Sequence, residues 1–229
     1  MTLTVFVIHL PISKQGFDAE LNSHLNILDE AEIQRYWRFK NEHARATFLQ
    51  TRVMLKTSLA KKLGCAAREI TFNYNEYGKP SLLSALSNRW HLSVSHSNQN
   101  IVIALAEENI GIDVEDVDRC KKLIPQTRDF LNQHAQVMVE QCPSEQESAE
   151  CFTEYWCCLE SYVKLRGSAI WQEKERVQPE QIPSPEKELT RFQFEDTYFH
   201  SLYAQADARI VLACHSANIE LEFNTWPAY

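Results

Sequence analysis

The sequence predicts an α+β fold built in two halves, residues 1–105 and 106–229. Helical and strand-like patterns are segregated within each half, and the strands are mostly joined as hairpins. The charge changes sign at the same boundary. Residues 1–105 hold twelve Lys and Arg against eight Asp and Glu, a net of +4, whereas residues 106–229 hold eleven against 23, a net of −12. With 44% hydrophobic and 24% charged residues, the 229-residue chain has ordinary globular composition and room for a substantial core. A disordered tail, a collagen-like repeat and a coiled-coil rod are excluded.

The opening MTLTVFVIHLP is apolar but lacks a basic leader and a small-residue cleavage site, and it is too short to span a bilayer. It reads as the first strand, and no later run is long enough for a membrane helix. The protein is expected to be cytoplasmic. Asp29 is a helix N-cap, with Glu32 completing a capping box and Leu28 and Ile33 a hydrophobic staple. A second helix starts at Asn41, carries an apolar stripe through Ala44, Phe48, Leu55, Leu59 and Leu63, and stops at Gly64. Arg45, Arg52 and Lys56 share one of its faces. Eight bases and one acid, Glu42, lie between Arg35 and Lys62.

Short strands are expected at 70–74, 91–95, 100–106 and 110–115. Residues 140–150 and the proline-bearing 172–190 read as loops, with a long helix over 148–166 between them. Strand patterns return at 191–195, 198–204, 209–215 and 219–223. The seven cysteines are odd in number, contain no C-x-x-C and have no zinc spacing, so reduced, buried thiols are expected. The five glycines form neither a dinucleotide fingerprint nor a P-loop. Net charge −8 and the lack of a basic-aromatic platform argue against nucleic acid.

Four short motifs carry chemistry. In Gly111-Ile-Asp-Val-Glu115, alternate strand residues share a face, which sets Asp113 and Glu115 about 7 Å apart on one side. Two such carboxylates repel unless a cation joins them, and Mg²⁺ takes one or two carboxylates with phosphate oxygens and water. Alternating acids on a surface strand give the same pattern. In Trp156-Cys-Cys-Leu-Glu160-Ser-Tyr-Val-Lys164, Glu160 and Lys164 share a helix face, either as a plain ion pair or as a third carboxylate with a phosphate-binding lysine. Ser95-His96-Ser97 ends a strand. Its adjacent Ser and His diverge too far for a nucleophile–base pair, but they suit donation to phosphate. Glu76-Tyr-Gly-Lys79-Pro80 presents Lys79 from a turn.

Taken in order after a basic helix, EYGKP, SVSHS, GIDVE and WCCLESYVK resemble the 4′-phosphopantetheinyl transferases of the two-lobed surfactin-synthetase-activating type, over roughly residues 30–170. The resemblance implies two pseudo-symmetric lobes, each a small, mostly antiparallel sheet packed on a long helix, with a ligand cleft between them. The basic lobe would bind coenzyme A phosphates and the acidic lobe the metal. It also implies transfer of the phosphopantetheine arm of coenzyme A to a serine of an apo acyl or peptidyl carrier protein, releasing adenosine 3′,5′-bisphosphate. Asp113, Glu115 and Glu160 would hold Mg²⁺, or Mn²⁺ in its place. Glu160 would also be the base, directly or through water. Arg45, Lys79, Ser95, His96 and Lys164 would bind coenzyme A, with Arg38, Lys40 and Arg52 as secondary candidates. The carrier would dock through apolar residues and first-lobe bases near the cleft, and the protein would act as a monomer.

The chain departs from the family at Leu159, where a lysine usually precedes the helix glutamate, and at Ser93 in place of asparagine. An altered rate or an altered Glu160 pKa is expected, so that Leu159→Lys raises turnover or moves its pH optimum. The alternative is a non-catalytic module that binds coenzyme A or a carrier. Mg²⁺-dependent release of adenosine bisphosphate separates the two.

Overall fold

A computed structural model of the chain describes residues 3–11, 23–83, 89–98, 100–127, 130–177, 190–205 and 207–225. The first half supplies β1 (Leu3–Pro11), α1 (Glu30–Arg38), α2 (Glu42–Leu63), β2 (Phe72–Tyr74), β3 (Pro80–Leu82), β4 (His91–His96) and β5 (Asn100–Ala106). The second half supplies β6 (Ile110–Asp116), α3 (Val117–Thr127), α4 (Gln133–Glu140), α5 (Glu145–Arg166), α6 (Ile170–Glu173), β7 (Thr190–Phe194), β8 (Thr197–Gln205), β9 (Ala208–Cys214) and β10 (Ile219–Thr225).

The helix signals hold at atomic detail. The Asp29 carboxylate accepts from the Glu32 N–H at 2.9 Å, and Glu32 accepts from the Asp29 N–H at 3.1 Å. Asn41 caps α2 by accepting from the Ala44 N–H at 3.0 Å. The two long helices match: α2 and α5 each have 22 residues and end on a left-handed glycine, Gly64 and Gly167. The expected 140–150 loop is shorter than predicted. Ser144 caps α5 at the Glu147 N–H, so the helix begins at Glu145. Helices α3 and α4 were not expected from the sequence. Of the proline-bearing loop, residues 178–189 lie outside the described residues.

Period-two alternation builds four layers. On β5, Ile101, Ile103 and Leu105 pack with Leu55 and Leu59 of α2, while Val102, Ala104 and Ala106 face the other sheet. There they meet Ile110, Ile112 and Val114 of β6 and Ile210 and Leu212 of β9. The far side of β9, Val211 and Ala213, packs with Phe152, Cys157 and Tyr162 of α5. The order through the molecule is therefore α2, first sheet, second sheet, α5.

The first sheet runs β10-β1-β5-β4, the second β6-β9-β8-β7, and β2-β3 form a separate ribbon. The sequence reading places the last strand in the second half, but β10 pairs parallel with β1, in register from Leu3↔Ile219 to His9↔Thr225. All other described pairings are antiparallel.

On β6, Gly111, Asp113 and Glu115 face α5. A Cβ on Gly111 would run into the backbone of Ser161 and Leu165, so α5 rests directly on the strand. Leu159 points elsewhere. With about 100° per residue it lies about 160° round α5 from Cys157 and about 140° from Lys164, which both face the second sheet. It is fully buried among apolar side chains, so the expected gain from a lysine at this position is not supported by its placement.

Gly111→Ala is expected to cost about 3 kcal/mol in urea unfolding, the upper end for an overpacked core, because only backbone can move aside. Leu159→Lys is expected to cost about 3–5 kcal/mol in the same assay, as an unpaired buried charge. Wild-type stability in the lysine variant would show that the side chain escapes the core.

Candidate active site

The candidate site lies on the seam between the sheets, where edge strand β4 runs beside edge strand β6. Unpaired edge groups are satisfied there by side chains. The Ile112 N–H donates to the Ser93 hydroxyl at 3.0 Å, so Ser93 stitches the two strands together. Asp116, which sequence reasoning did not single out, accepts from the Ser97 hydroxyl at 2.7 Å, the Asn98 N–H at 3.0 Å and the Asn100 amide at 2.9 Å. It hooks the β4–β5 connection onto the end of β6. The signal available in the sequence was a third acid beside Asp113 and Glu115.

Because α5 rests on Gly111, Lys164 reaches the next inward residue of the strand. Asp113 is 2% exposed, and its Oδ1 accepts from Lys164 Nζ at 2.6 Å and from the Ser95 hydroxyl at 2.7 Å. Its Oδ2 is buried with no hydrogen-bond partner. Glu115 Oε2 accepts from the Arg119 guanidinium at 2.6 Å, one turn into α3. Burial, then the Asp113 charge, pushes Glu115 up to about 7, against the pull of Arg119. Glu160 is also raised, by burial first and then Asp113, with Lys164 opposing. Lys164 is held protonated: burial lowers its pKa, but Asp113 and Glu160 outweigh that effect.

Beside this seam lies a cavity of about 510 Å³, within the range that holds small molecules. Arg35, His43, Arg52, His96 and Arg119 are in its wall. Burial, with Lys164 and Arg119 nearby, lowers the His96 pKa and keeps the ring neutral near pH 7.

The structure brings together Asp113, Glu115, Glu160, Ser95 and Lys164, and it sets His96 and Arg52 on the cavity. Other candidates lie elsewhere. Lys79 donates to Asn109 Oδ1 at 2.5 Å and to the Leu165 and Ile110 carbonyls at 2.9 and 3.4 Å. It staples the β2–β3 turn to the end of α5, and burial lowers its pKa to about 8. Arg45 stacks over the Tyr36 ring at 5.8 Å, and Arg38 and Lys40 are exposed; none of these four is in the cavity wall. The shared face of Arg45, Arg52 and Lys56 is not a phosphate track. Lys56 is fully buried 2.5 Å from Glu32, and Arg52 pairs with the same carboxylate at 3.3 Å. Arg35, His43 and Arg119 were missed because only the fold gathers them.

All seven cysteines are free thiols, and no described helix is long and apolar enough to cross a membrane.

Residues 109–215 match the model of the 4′-phosphopantetheinyl transferase superfamily, and residues 15–108 match a 4′-phosphopantetheinyl transferase N-terminal model. The 4′-phosphopantetheinyl transferase HetI of Nostoc is 28% identical over 67% of this chain and 65% of its own length. The 4′-phosphopantetheinyl transferase gsp of Aneurinibacillus migulanus is 25% identical over 60% of this chain and 55% of its own. For the Sfp transferase of Bacillus subtilis the figures are 23%, 58% and 56%. The chain thus spans less than two thirds of the length of these curated relatives. Two adjoining models of one family meet between β5 and β6, beside the seam that carries the carboxylates, and the chain belongs to the 4′-phosphopantetheinyl transferase superfamily, in its two-lobed, surfactin-synthetase-activating type.

Proposed function

We propose that the protein transfers the 4′-phosphopantetheine arm of coenzyme A to a serine of an apo acyl or peptidyl carrier protein, releasing adenosine 3′,5′-bisphosphate. The observation that carries this reading is the meeting of a cationic cavity with a carboxylate row at Arg119, which lines the one and pairs with the other. A polyanion and a dication have adjoining places.

The residues suit Mg²⁺ or Mn²⁺. Asp113 Oδ2 is a buried, orphaned oxygen, and Glu115 stands on the same face of β6 with its proton affinity raised by burial and then by the Asp113 charge. Among the described residues no three His, Cys, Asp or Glu form a closed metal-binding group, and an ion that keeps water and phosphate ligands needs only one or two carboxylates. Asp113 and Glu115 would hold the ion, with Glu160 as third candidate. When bound, it would neutralise charge on the pyrophosphate as that charge shifts to the leaving group.

The chain's own groups supply the rest. Lys164 and the Ser95 hydroxyl fix the Asp113 carboxylate and leave its second oxygen free. Arg35 and neutral His96 receive phosphates in the cavity, while Arg52, held by Glu32, adds its charge to the wall. Glu160, whose burial favours proton uptake, takes the carrier serine's proton as the serine oxygen bonds to the phosphorus nearer the pantetheine. The bond from that phosphorus to the bridging oxygen breaks, and the electron pair leaves with adenosine 3′,5′-bisphosphate. Arg45 and Lys79 act on the ligand only indirectly in this reading, and Arg38 and Lys40 contribute to the field. The cut at 105/106 stays the boundary between cavity-forming and carboxylate-bearing parts, with a cytoplasmic monomer as the working form.

Intact-mass analysis of apo fatty-acid, polyketide and peptide-synthetase carriers tests the reading. At least one is expected to gain a single phosphopantetheine arm with coenzyme A and Mg²⁺, and none without Mg²⁺. Glu160→Gln is expected to lower kcat about 10²-fold or more, the range for losing a general base. Coenzyme A that binds while no carrier gains mass would favour the non-catalytic module.

The pH dependence has a definite sign. The Glu115 carboxyl, at about 7, keeps a proton between pH 4.5 and 7 that the unfolded chain releases, so its contribution to stability falls as pH rises through that window. A cation must displace the same proton. Apparent Mg²⁺ affinity is expected to rise up to about tenfold per pH unit below 7 and to level off above it. Glu115→Gln should flatten the profile in a calorimetric titration.

A further inference from the structure

Every residue in the wall of the 510 Å³ cavity comes from the first half of the chain except Arg119. Arg52 in that wall is committed: it is buried against Glu32 and donates to the Tyr74 hydroxyl. Arg119 is different. Its side chain is 39% exposed, and its one ion pair among the described residues, to Glu115, uses a single nitrogen of a five-donor guanidinium.

We propose that Arg119 is an exchangeable counter-ion, which holds Glu115 while the site is empty and passes its charge to the anionic ligand when a divalent cation takes Glu115. This rests on the reading given under Proposed function. The argument is one of charge. Asp113 and Glu115 face the same way, and each has one cationic partner, Lys164 from α5 and Arg119 from α3. Lys164 donates to Asp113 and Ser95 together and would lose two bonds by leaving. Arg119 loses one bond if it leaves Glu115, and it already borders the space a polyphosphate would fill. A dication on Glu115 repels a guanidinium on the same carboxylate, while phosphates in the cavity attract it. The switch therefore couples metal and ligand: each makes room for the other.

The test measures binding, not turnover, and uses two probes with opposite expected signs. Mn²⁺ alone is titrated by electron paramagnetic resonance, and coenzyme A by calorimetry with Mg²⁺ present. Removing the competitor for Glu115, Arg119→Gln should bind Mn²⁺ alone roughly threefold more tightly, the worth of a half-exposed ion pair. It should bind coenzyme A with Mg²⁺ about tenfold more weakly, the loss of one bond to a charged group. Arg119→Lys should fall between it and wild type on both. Lys122→Gln, on the exposed side of the same helix, controls for loss of one positive charge, and thermal melts confirm folding of each variant.

If Arg119→Gln follows Lys122→Gln on both probes while wild type binds both, the exchange is wrong and the proposed function stands. If Arg119→Gln weakens Mn²⁺ and coenzyme A together, Arg119 is a structural support and the exchange is wrong. If wild type binds neither probe, the proposed function fails and takes the exchange with it.

Discussion

The close approach of α5 to Gly111 is the contact on which the site depends. Without a side chain at that strand position, the helix backbone settles onto β6. The rise of a strand and the turn of a helix then place Lys164 over Asp113 and bring Glu160 into the field of the same carboxylate. A larger residue would separate the elements that supply charges of opposite sign. The arrangement is also costly, since Asp113, Glu115 and Lys164 all resist burial. Each is paired, and the one buried oxygen of Asp113 left over is where function is expected.

Local chemistry was legible because it is local. Asp29 with Glu32, Asn41, Gly64 and the alternation on β5 and β6 are decided by residues a few positions apart, and the structure agrees to within a residue or two. The carboxylate pair on β6 and the Glu160–Lys164 spacing on α5 were legible for the same reason. What could not be read was which charges cancel. Arg52 and Lys56 look like ligand-binding bases on a helical wheel, yet Glu32 of a different helix claims both. Lys79 looks like a lysine presented to a phosphate, yet two carbonyls and an amide oxygen from the second half surround it. Arg119 carried no motif, and only the fold shows that it borders the cavity.

The seam itself explains Ser93. A short hydroxyl there reaches the Ile112 N–H and ties one edge strand to another at close range. Ser95 and Ser97 repeat the device at Asp113 and Asp116. Three alternate serines, two on β4 and one just past its end, thus replace a backbone ladder between two sheets that do not hydrogen-bond as one. The expected tripeptide site is, in this light, partly joinery: Ser97 locks a turn, Ser95 orients a carboxylate, and His96 and Ser97 border the cavity.

The pairing of β1 with β10 has a consequence for how the chain acquires this structure. Leu3 and Ile219 are neighbours across a ladder although roughly 200 residues separate them. The loop that their pairing closes is nearly the whole molecule, and such closures are slow and come after the local hairpins. During synthesis the first half emerges with one flank of its sheet open, and no described strand of that half pairs with it. The α2-side core and the β1–β5 pairing can form early, but the other edge of β1 must wait for β10. The nascent protein therefore carries one unzipped edge on β1 until β10 has been made.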